Sequence, residues 1–154
     1  MNIRKFALNL AAEIHKDQKR KDGLPYITHL EAVANNALKI HKETYPNTEE
    51  DNADRDILYL IATQHDAKED QNYEESLYGE QLSKAGFAHP NRVVASLKLL
   101  NKKQYANYFD YIMAVKHDYF ARTVKLADLT HNMSNLQEGS LKDKYRLAEY
   151  ILTH

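Results

Sequence analysis

The side chains best suited to bind a metal ion come from three well-separated parts of the chain. They are His29, the adjacent pair His65 and Asp66, and Asp128. Two imidazoles and two carboxylates suit manganese, iron, zinc or magnesium, and this ligand set is more typical of a catalytic ion than of a structural zinc. No cysteine is present to supply a thiolate ligand. Spacing alone does not establish a site, because eight histidines and 22 acidic residues allow similar sets in many proteins.

Polar residues follow two of these candidates at helical spacing. Glu69 and Asp70 come shortly after the His65–Asp66 pair, and Asn132 comes four residues after Asp128. Residues four apart share one face of a helix, so we expect Glu69 beside His65 and Asn132 beside Asp128. A carboxylate pair next to a metal ion is suited to acid–base chemistry on a bound water. A solvated helix end is the alternative interpretation of Glu69 and Asp70.

A basic loop precedes the first candidate ligand. Lys19, Arg20 and Lys21 lie in a Gly- and Pro-containing stretch that ends shortly before His29. Cations beside a metal ion would suit a phosphorylated ligand, although a solvated loop would have the same composition.

The spacing of apolar residues predicts that helices position all of these side chains. Only four glycines and three prolines interrupt the chain. Thr28 and the pair Thr48 and Asp51 are predicted helix caps, and Gly86 a predicted helix end. The predicted helices cover residues 2–18, 28–40, 57–66, 74–85, 90–100, 105–115, 119–136 and 140–152, with a polar loop over 19–25.

Length and charge narrow the possible functions. A chain of 154 residues fits one domain, which we expect to cover residues 1–154. The net charge of -1 argues against binding to duplex nucleic acid, and no segment is apolar enough to span a membrane, so we expect a cytoplasmic protein. An aromatic stripe has the spacing of a helix face and is expected to pack in the core rather than to stack on bases. The stripe consists of Tyr105, Tyr108, Phe109, Tyr111 and Ile112.

Three motifs in a fixed order resemble those of the HD-domain metal-dependent phosphohydrolases. Residues 18–29 read Gln-x-Arg-Lys-x-Gly-x-Pro-Tyr-Ile-x-His, residues 65–70 read His-Asp-x-x-Glu-Asp, and residues 124–128 read Val-Lys-Leu-Ala-Asp. Within that family, the chain resembles the hydrolase domain of bifunctional stringent-response enzymes and the stand-alone small alarmone hydrolases, which are the nearest match in size. The resemblance extends over most of residues 5–150 and is weakest over 71–118. It implies an all-α fold.

The resemblance also implies a role for each matching residue. Manganese is the ion usual in the family. The implied metal ligands are His29, His65, Asp66 and Asp128. The implied catalytic pair is Glu69 and Asp70, and the implied substrate-binding residues are Arg20, Lys21, Tyr26 and Asn132.

The implied activity is that of a metal-dependent nucleotide pyrophosphohydrolase. Its expected substrate is guanosine tetra- or pentaphosphate, from which it would release the 3′-pyrophosphate to leave GDP or GTP. One alternative is a hydrolase of another nucleotide, such as an adenosine alarmone or a nucleoside mono- or triphosphate. A second is a nucleotide-binding module without catalysis. A small-molecule substrate is the expected partner, with no nucleic acid or membrane, and the chain is a candidate homo-oligomer.

Overall fold

Helices form all the regular secondary structure of residues 2–154, the part of the chain that the computed structural model describes. This confirms the predicted all-α fold class. The α-helices are α1 (Ile3–Ile14), α2 (Ile27–Thr44), α3 (Ala53–Gln64), α4 (Ala67–Gln71), α5 (Ser76–Lys84), α6 (Pro90–Leu99), α7 (Tyr108–Lys116), α8 (Tyr119–Ser134) and α9 (Ser140–Thr153). A 3₁₀ helix covers Lys102–Gln104.

Helix α3 is the centre of the molecule. It packs against α1, α2, α6 and α8. Its residues Leu58, Ile61 and Ala62 are fully buried, and it is apolar on several sides because neighbours surround it. Alanines on the packed faces of α1, α2 and α8 are also fully buried, which lets these helices approach closely.

The predicted first helix is too long. Helix α1 ends at Ile14, and the next residues form a tight hairpin in which the N–H of Tyr26 donates to the carbonyl of Gln18 at 3.0 Å. Gly23, with φ of 87°, provides the left-handed residue at the hairpin tip. The predicted loop over residues 19–25 is confirmed, and the hairpin presents its basic residues as a fixed unit.

The predicted caps are wrong. The Thr28 hydroxyl donates to the carbonyl of Pro25 at 2.7 Å instead of capping α2. Neither Thr48 nor Asp51 caps α3, because the Asn52 side chain accepts from the N–H of Asp54 at 2.8 Å. The N-cap of α3 is therefore Asn52, one residue after Asp51.

The later helices match the prediction closely. Helix α7 starts at Tyr108, not at residue 105, because the Asn107 side chain caps it. Gly86 has φ of 83° and follows α5, as predicted. None of the helices in residues 2–154 combines the length and apolar character that a membrane crossing needs.

The aromatic stripe is only partly in the core. Tyr111 and Ile112 are buried, but Phe109 is 59 % exposed, so the prediction of core packing is wrong for that residue. Tyr105 and Tyr108 are half-buried and line a surface cavity. The short helix α7 presents aromatic side chains on more faces than its neighbours can cover.

The central position of α3 predicts a large effect of truncating its core. Ile61→Ala removes a fully buried side chain, and we expect a loss of about 2–5 kcal/mol in the free energy of unfolding. Urea unfolding followed by circular dichroism measures this loss. The matched control is Leu147→Ala, which removes a side chain in a residue that is 61 % exposed and should change the free energy by less than about 0.5 kcal/mol. Equal effects of the two changes would contradict the central role of α3.

Candidate metal centre and adjoining cavities

The structure brings the four predicted metal ligands together. One ligand atom from each of His29, His65, Asp66 and Asp128 lies within 4.8 Å of all the others. The Nε2 atom of His29 is 3.0 Å from Oδ1 of Asp128 and 3.7 Å from Oδ2 of Asp66. The Nε2 atom of His65 is 3.4 Å and 3.2 Å from the same two oxygens. Three separate segments therefore converge on one small volume.

A break between two helices positions the His-Asp pair. The sequence pattern predicts one continuous helix through residue 66, but α3 ends at Gln64, and α4 starts at Ala67. His65 and Asp66 occupy the junction, and this prediction of their helical location is wrong. The bend directs both side chains toward the same point, although adjacent residues on a helix point about 100° apart.

Hydrogen bonds fix the orientation of both imidazoles. The Nδ1 atom of His65 lies 2.6 Å from the carbonyl oxygen of Ala62, which can only accept, so Nδ1 carries the proton and donates it. Nδ1 of His29 lies 2.7 Å from Nδ1 of His131. In both rings the Nε2 atom is thus the one that faces the carboxylates, which is how metal-binding histidines are usually held by an outer partner.

The Asp128 carboxylate is charged although it is buried. Burial disfavours its charge, but the Lys125 ammonium, 3.0 Å from Oδ2, and the two imidazoles near Oδ1 outweigh this effect and hold the pKa of Asp128 well below its usual range. Burial likewise opposes the charge of Lys125, and Asp128 raises the pKa of that ammonium well above its usual range. Asn132 donates to Oδ1 of Asp128 at 3.2 Å, as the helical spacing predicts.

The second carboxylate is held by the basic hairpin. The Tyr26 hydroxyl donates to Oδ2 of Asp66 at 2.6 Å. Burial disfavours the charge of Asp66, yet the neighbouring His65 and the Tyr26 hydroxyl keep its pKa below the usual range. Tyr26 therefore links the hairpin to the cluster.

The cluster fits a divalent cation. The Nε2 atom of His65 is buried and makes no well-directed hydrogen bond within residues 2–154, although two carboxylate oxygens lie close to it. Burying such an unsatisfied atom costs free energy, and a bound cation would satisfy it together with both carboxylates. The two-nitrogen, two-oxygen donor set is one that divalent transition metals accept.

The predicted catalytic pair lies at the edge of the cluster. Glu69 and Asp70 line the cavity, of about 180 Å³, that contains the four candidate ligands. Glu69 accepts a hydrogen bond from the backbone N–H of Lys102 at 2.7 Å, and Asp70 accepts one from the Gln18 side chain at 3.0 Å. Burial raises the pKa of Glu69, and the Lys102 N–H opposes only part of the rise.

The predicted substrate-binding residues line a neighbouring cavity. Its volume is about 520 Å³, and Arg20, Lys21, Tyr26 and Asn132 are all part of its wall. Tyr26 and Asn132 also line the cavity of the metal cluster, so the two spaces adjoin. Arg20 NH1 is 3.4 Å from Nδ1 of His131, which connects this wall to His29.

Sequence inspection did not assign a role to several residues around the cluster. Lys102, Tyr111 and Tyr145 line its cavity, and each comes from a segment without a metal-binding motif. The Gln18 side chain donates to Asp70. Gln18 is part of the first motif, so the motif could have identified it as a residue of the site. No sequence signal marks Lys102, because its contact with Glu69 depends on the tertiary fold.

Comparisons with known proteins identify relatives of the chain. No family model matches it. It is 34 % identical over 146 residues to the guanosine-3′,5′-bis(diphosphate) 3′-pyrophosphohydrolase of Haemophilus influenzae. The aligned region covers 89 % of this chain and 19 % of that protein. It is 36 % identical over 146 residues to the bifunctional (p)ppGpp synthase/hydrolase SpoT of Escherichia coli K12, covering 89 % of this chain and 18 % of SpoT. It is 30 % identical over 157 residues to a GTP pyrophosphokinase of Myxococcus xanthus, covering 99 % of this chain and 19 % of that protein.

These matches confirm the resemblance to alarmone enzymes that the motifs predict. The chain spans about a fifth of the length of the curated relatives it matches. The similarity covers nearly all of this chain and therefore includes all three motifs.

The geometry predicts that metal binding and acid–base chemistry depend on different carboxylates. Asp66→Ala removes an oxygen of the cluster, and we expect Mn²⁺ affinity to fall on the order of 100-fold or more. Glu69→Ala leaves the four clustered ligands in place and should keep the wild-type metal content. Metal content after dialysis, measured by mass spectrometry, tests both variants, with the exposed Asp17→Ala as control. Full metal content in Asp66→Ala would contradict the assignment of this centre.

Proposed function

We propose that this relative of the alarmone enzymes is a metal-dependent hydrolase that removes the 3′-pyrophosphate of guanosine 3′,5′-bis(diphosphate). The observation that carries the proposal is the buried cluster of two histidines and two aspartates, flanked by a carboxylate pair and by an open, partly basic cavity. That arrangement supplies a metal centre, acid–base groups and space for a nucleotide side by side. The name of the Haemophilus influenzae relative gives the substrate.

His29, His65, Asp66 and Asp128 would hold the ion, which we propose to be Mn²⁺. A divalent ion held by these residues would lower the pKa of a bound water and polarise a phosphoryl oxygen. The chain itself supplies the rest: Lys125 keeps Asp128 charged, and Tyr26 orients Asp66.

Glu69 and Asp70 are the proposed catalytic residues. Because its pKa is raised by burial, Glu69 is suited to accept a proton from the attacking water at neutral pH. Asp70 lies next to it on the cavity wall and is held by Gln18, so it is placed to assist proton transfer to the departing 3′-oxygen. Each carboxylate is held by a different hydrogen-bond partner.

The larger cavity is the proposed nucleoside site. Arg20 provides a flat guanidinium for stacking on a base, and Lys21 provides charge for a phosphate. Tyr26 and Asn132 line the boundary with the metal cluster, where the ribose would lie. Apolar side chains such as Leu141 cover part of the remaining wall.

Residues 1–154 form the proposed hydrolase domain, which we expect to act in the cytoplasm. Its partner is a small nucleotide, and the reaction as proposed involves no nucleic acid or membrane.

The decisive experiment is direct hydrolysis of guanosine tetraphosphate. Protein reconstituted with Mn²⁺ should release GDP and pyrophosphate in equal amounts, which ion-exchange chromatography measures. Asp66→Ala should abolish turnover because it removes a metal ligand, and Glu69→Ala should lower kcat about 100-fold or more while keeping the metal.

The failures of this experiment have distinct meanings. If the metal-loaded protein hydrolyses another nucleotide instead, such as an adenosine alarmone, the proposed substrate is wrong but the proposed chemistry stands. A metal-loaded protein inactive on a panel of nucleoside mono-, di-, tri- and tetraphosphates would support the binding-module alternative. Turnover by Asp66→Ala would reject the proposed centre.

The nucleoside site predicts a separate kinetic effect. Arg20→Ala should raise KM for guanosine tetraphosphate on the order of tenfold, because it removes stacking and charge from the larger cavity. Metal content is measured in parallel, since Arg20 also contacts His131. Arg146→Ala is the control, because Arg146 is exposed and pairs with Glu138 outside the cavities. An unchanged KM in Arg20→Ala would exclude this wall as the nucleoside site.

A further inference from the structure

A third cavity, rich in lysine and tyrosine, adjoins the metal cluster. Its volume is about 250 Å³. It shares Lys102, Tyr111, Lys125 and Tyr145 with the cavity of the cluster, whereas it shares only Tyr145 with the proposed nucleoside site. The cavity of the metal cluster therefore adjoins both of the other cavities, and Tyr145 belongs to the walls of all three.

The wall of this lysine-tyrosine cavity has an excess of positive charge. No Asp or Glu belongs to its wall. Of its three lysines, Lys125 is paired with Asp128 at 3.0 Å, but Lys102 and Lys144 have no ion-pair partner within residues 2–154. The Lys144 ammonium lies 4.1 Å from the centre of the Tyr108 ring, a contact that orients the charge without neutralising it. Such a cavity attracts an anion.

We propose that the lysine-tyrosine cavity binds the terminal phosphate of the substrate's 3′-diphosphate, with Lys102 and Lys144 as its ligands. This inference rests on the proposed function. With the nucleoside in the larger cavity and the phosphate next to the ribose at the metal cluster, the second phosphate of the 3′-diphosphate extends away from the nucleoside. Lys102 and Lys144 lie in the wall of a cavity that adjoins the cluster and shares only Tyr145 with the proposed nucleoside site.

The assignment is consistent with the balance of the reaction. The oxygen of water forms a bond to the phosphorus attached to the ribose 3′-oxygen, and the bond between that phosphorus and the 3′-oxygen breaks. The 3′-oxygen keeps the electron pair and takes one proton, giving GDP. The remaining group leaves as pyrophosphate, so the phosphate held by Lys102 and Lys144 belongs to the pyrophosphate product.

The test is binding of pyrophosphate, measured by calorimetry on Mn²⁺-loaded protein freed of excess metal. Lys102→Met and Lys144→Met should each weaken pyrophosphate binding on the order of tenfold and leave GDP binding unchanged. Arg20→Ala should weaken GDP binding and leave pyrophosphate binding unchanged. Lys39→Met, an exposed lysine of α2 outside all three cavities, should alter neither. Both cavity lysines are exposed, so these variants are expected to fold.

Two results would overturn the inference. One is wild-type affinity for pyrophosphate in both lysine variants. The other is a loss of GDP affinity in Lys144→Met, which would assign the cavity to the 5′-diphosphate.

The binding data are independent of turnover. A protein that needs Lys102 and Lys144 to bind pyrophosphate, yet fails to hydrolyse guanosine tetraphosphate, would reject the proposed function but retain an anion site. Hydrolysis of guanosine tetraphosphate, together with unaltered pyrophosphate binding in both lysine variants, would support the proposed function and reject the anion site.

Discussion

The ion pair between Lys125 and Asp128 is the interaction on which the candidate centre depends. Two carboxylates and two imidazoles lie together in a largely buried space, and carboxylates in such a place repel each other and lose hydration. Lys125 places a buried positive charge on the side of Asp128 that faces away from the histidines. Asp128 can therefore stay ionised with one oxygen directed into the cluster.

Helix α8 organises the chemistry through its register. Lys125 and Asn132 lie one turn to either side of Asp128, and both donate to it. His131 lies on the neighbouring face, where it meets His29 of α2 and the guanidinium of Arg20. A single helix thus orients a carboxylate, an imidazole on another helix, and one wall of the proposed nucleoside site. Its fully buried apolar face, packed on α2 and α3, keeps this register fixed.

Short-range pattern predicted much of this arrangement, and contacts distant in sequence account for the rest. The apolar periodicity gave the helices, and the motifs gave the four residues that cluster. The end of α3 at Gln64 was not predictable from periodicity, because the apolar residues end at Ala62 and no glycine or proline marks the bend that follows. The contact between Glu69 and Lys102 joins residues 33 apart, so no local signal marks it. Phe109 has core spacing, yet no neighbour covers it.

The hydrogen bond that holds Glu69 comes from the main chain of residue 102, not from its side chain. Any residue other than proline at that position supplies the same N–H, so the side chain can change without releasing the carboxylate. The position thus carries two separable duties: the backbone fixes an acid–base group, and the side chain faces a cavity. A substitution at position 102 would therefore alter the charge of the cavity wall without releasing the Glu69 carboxylate from its hydrogen bond.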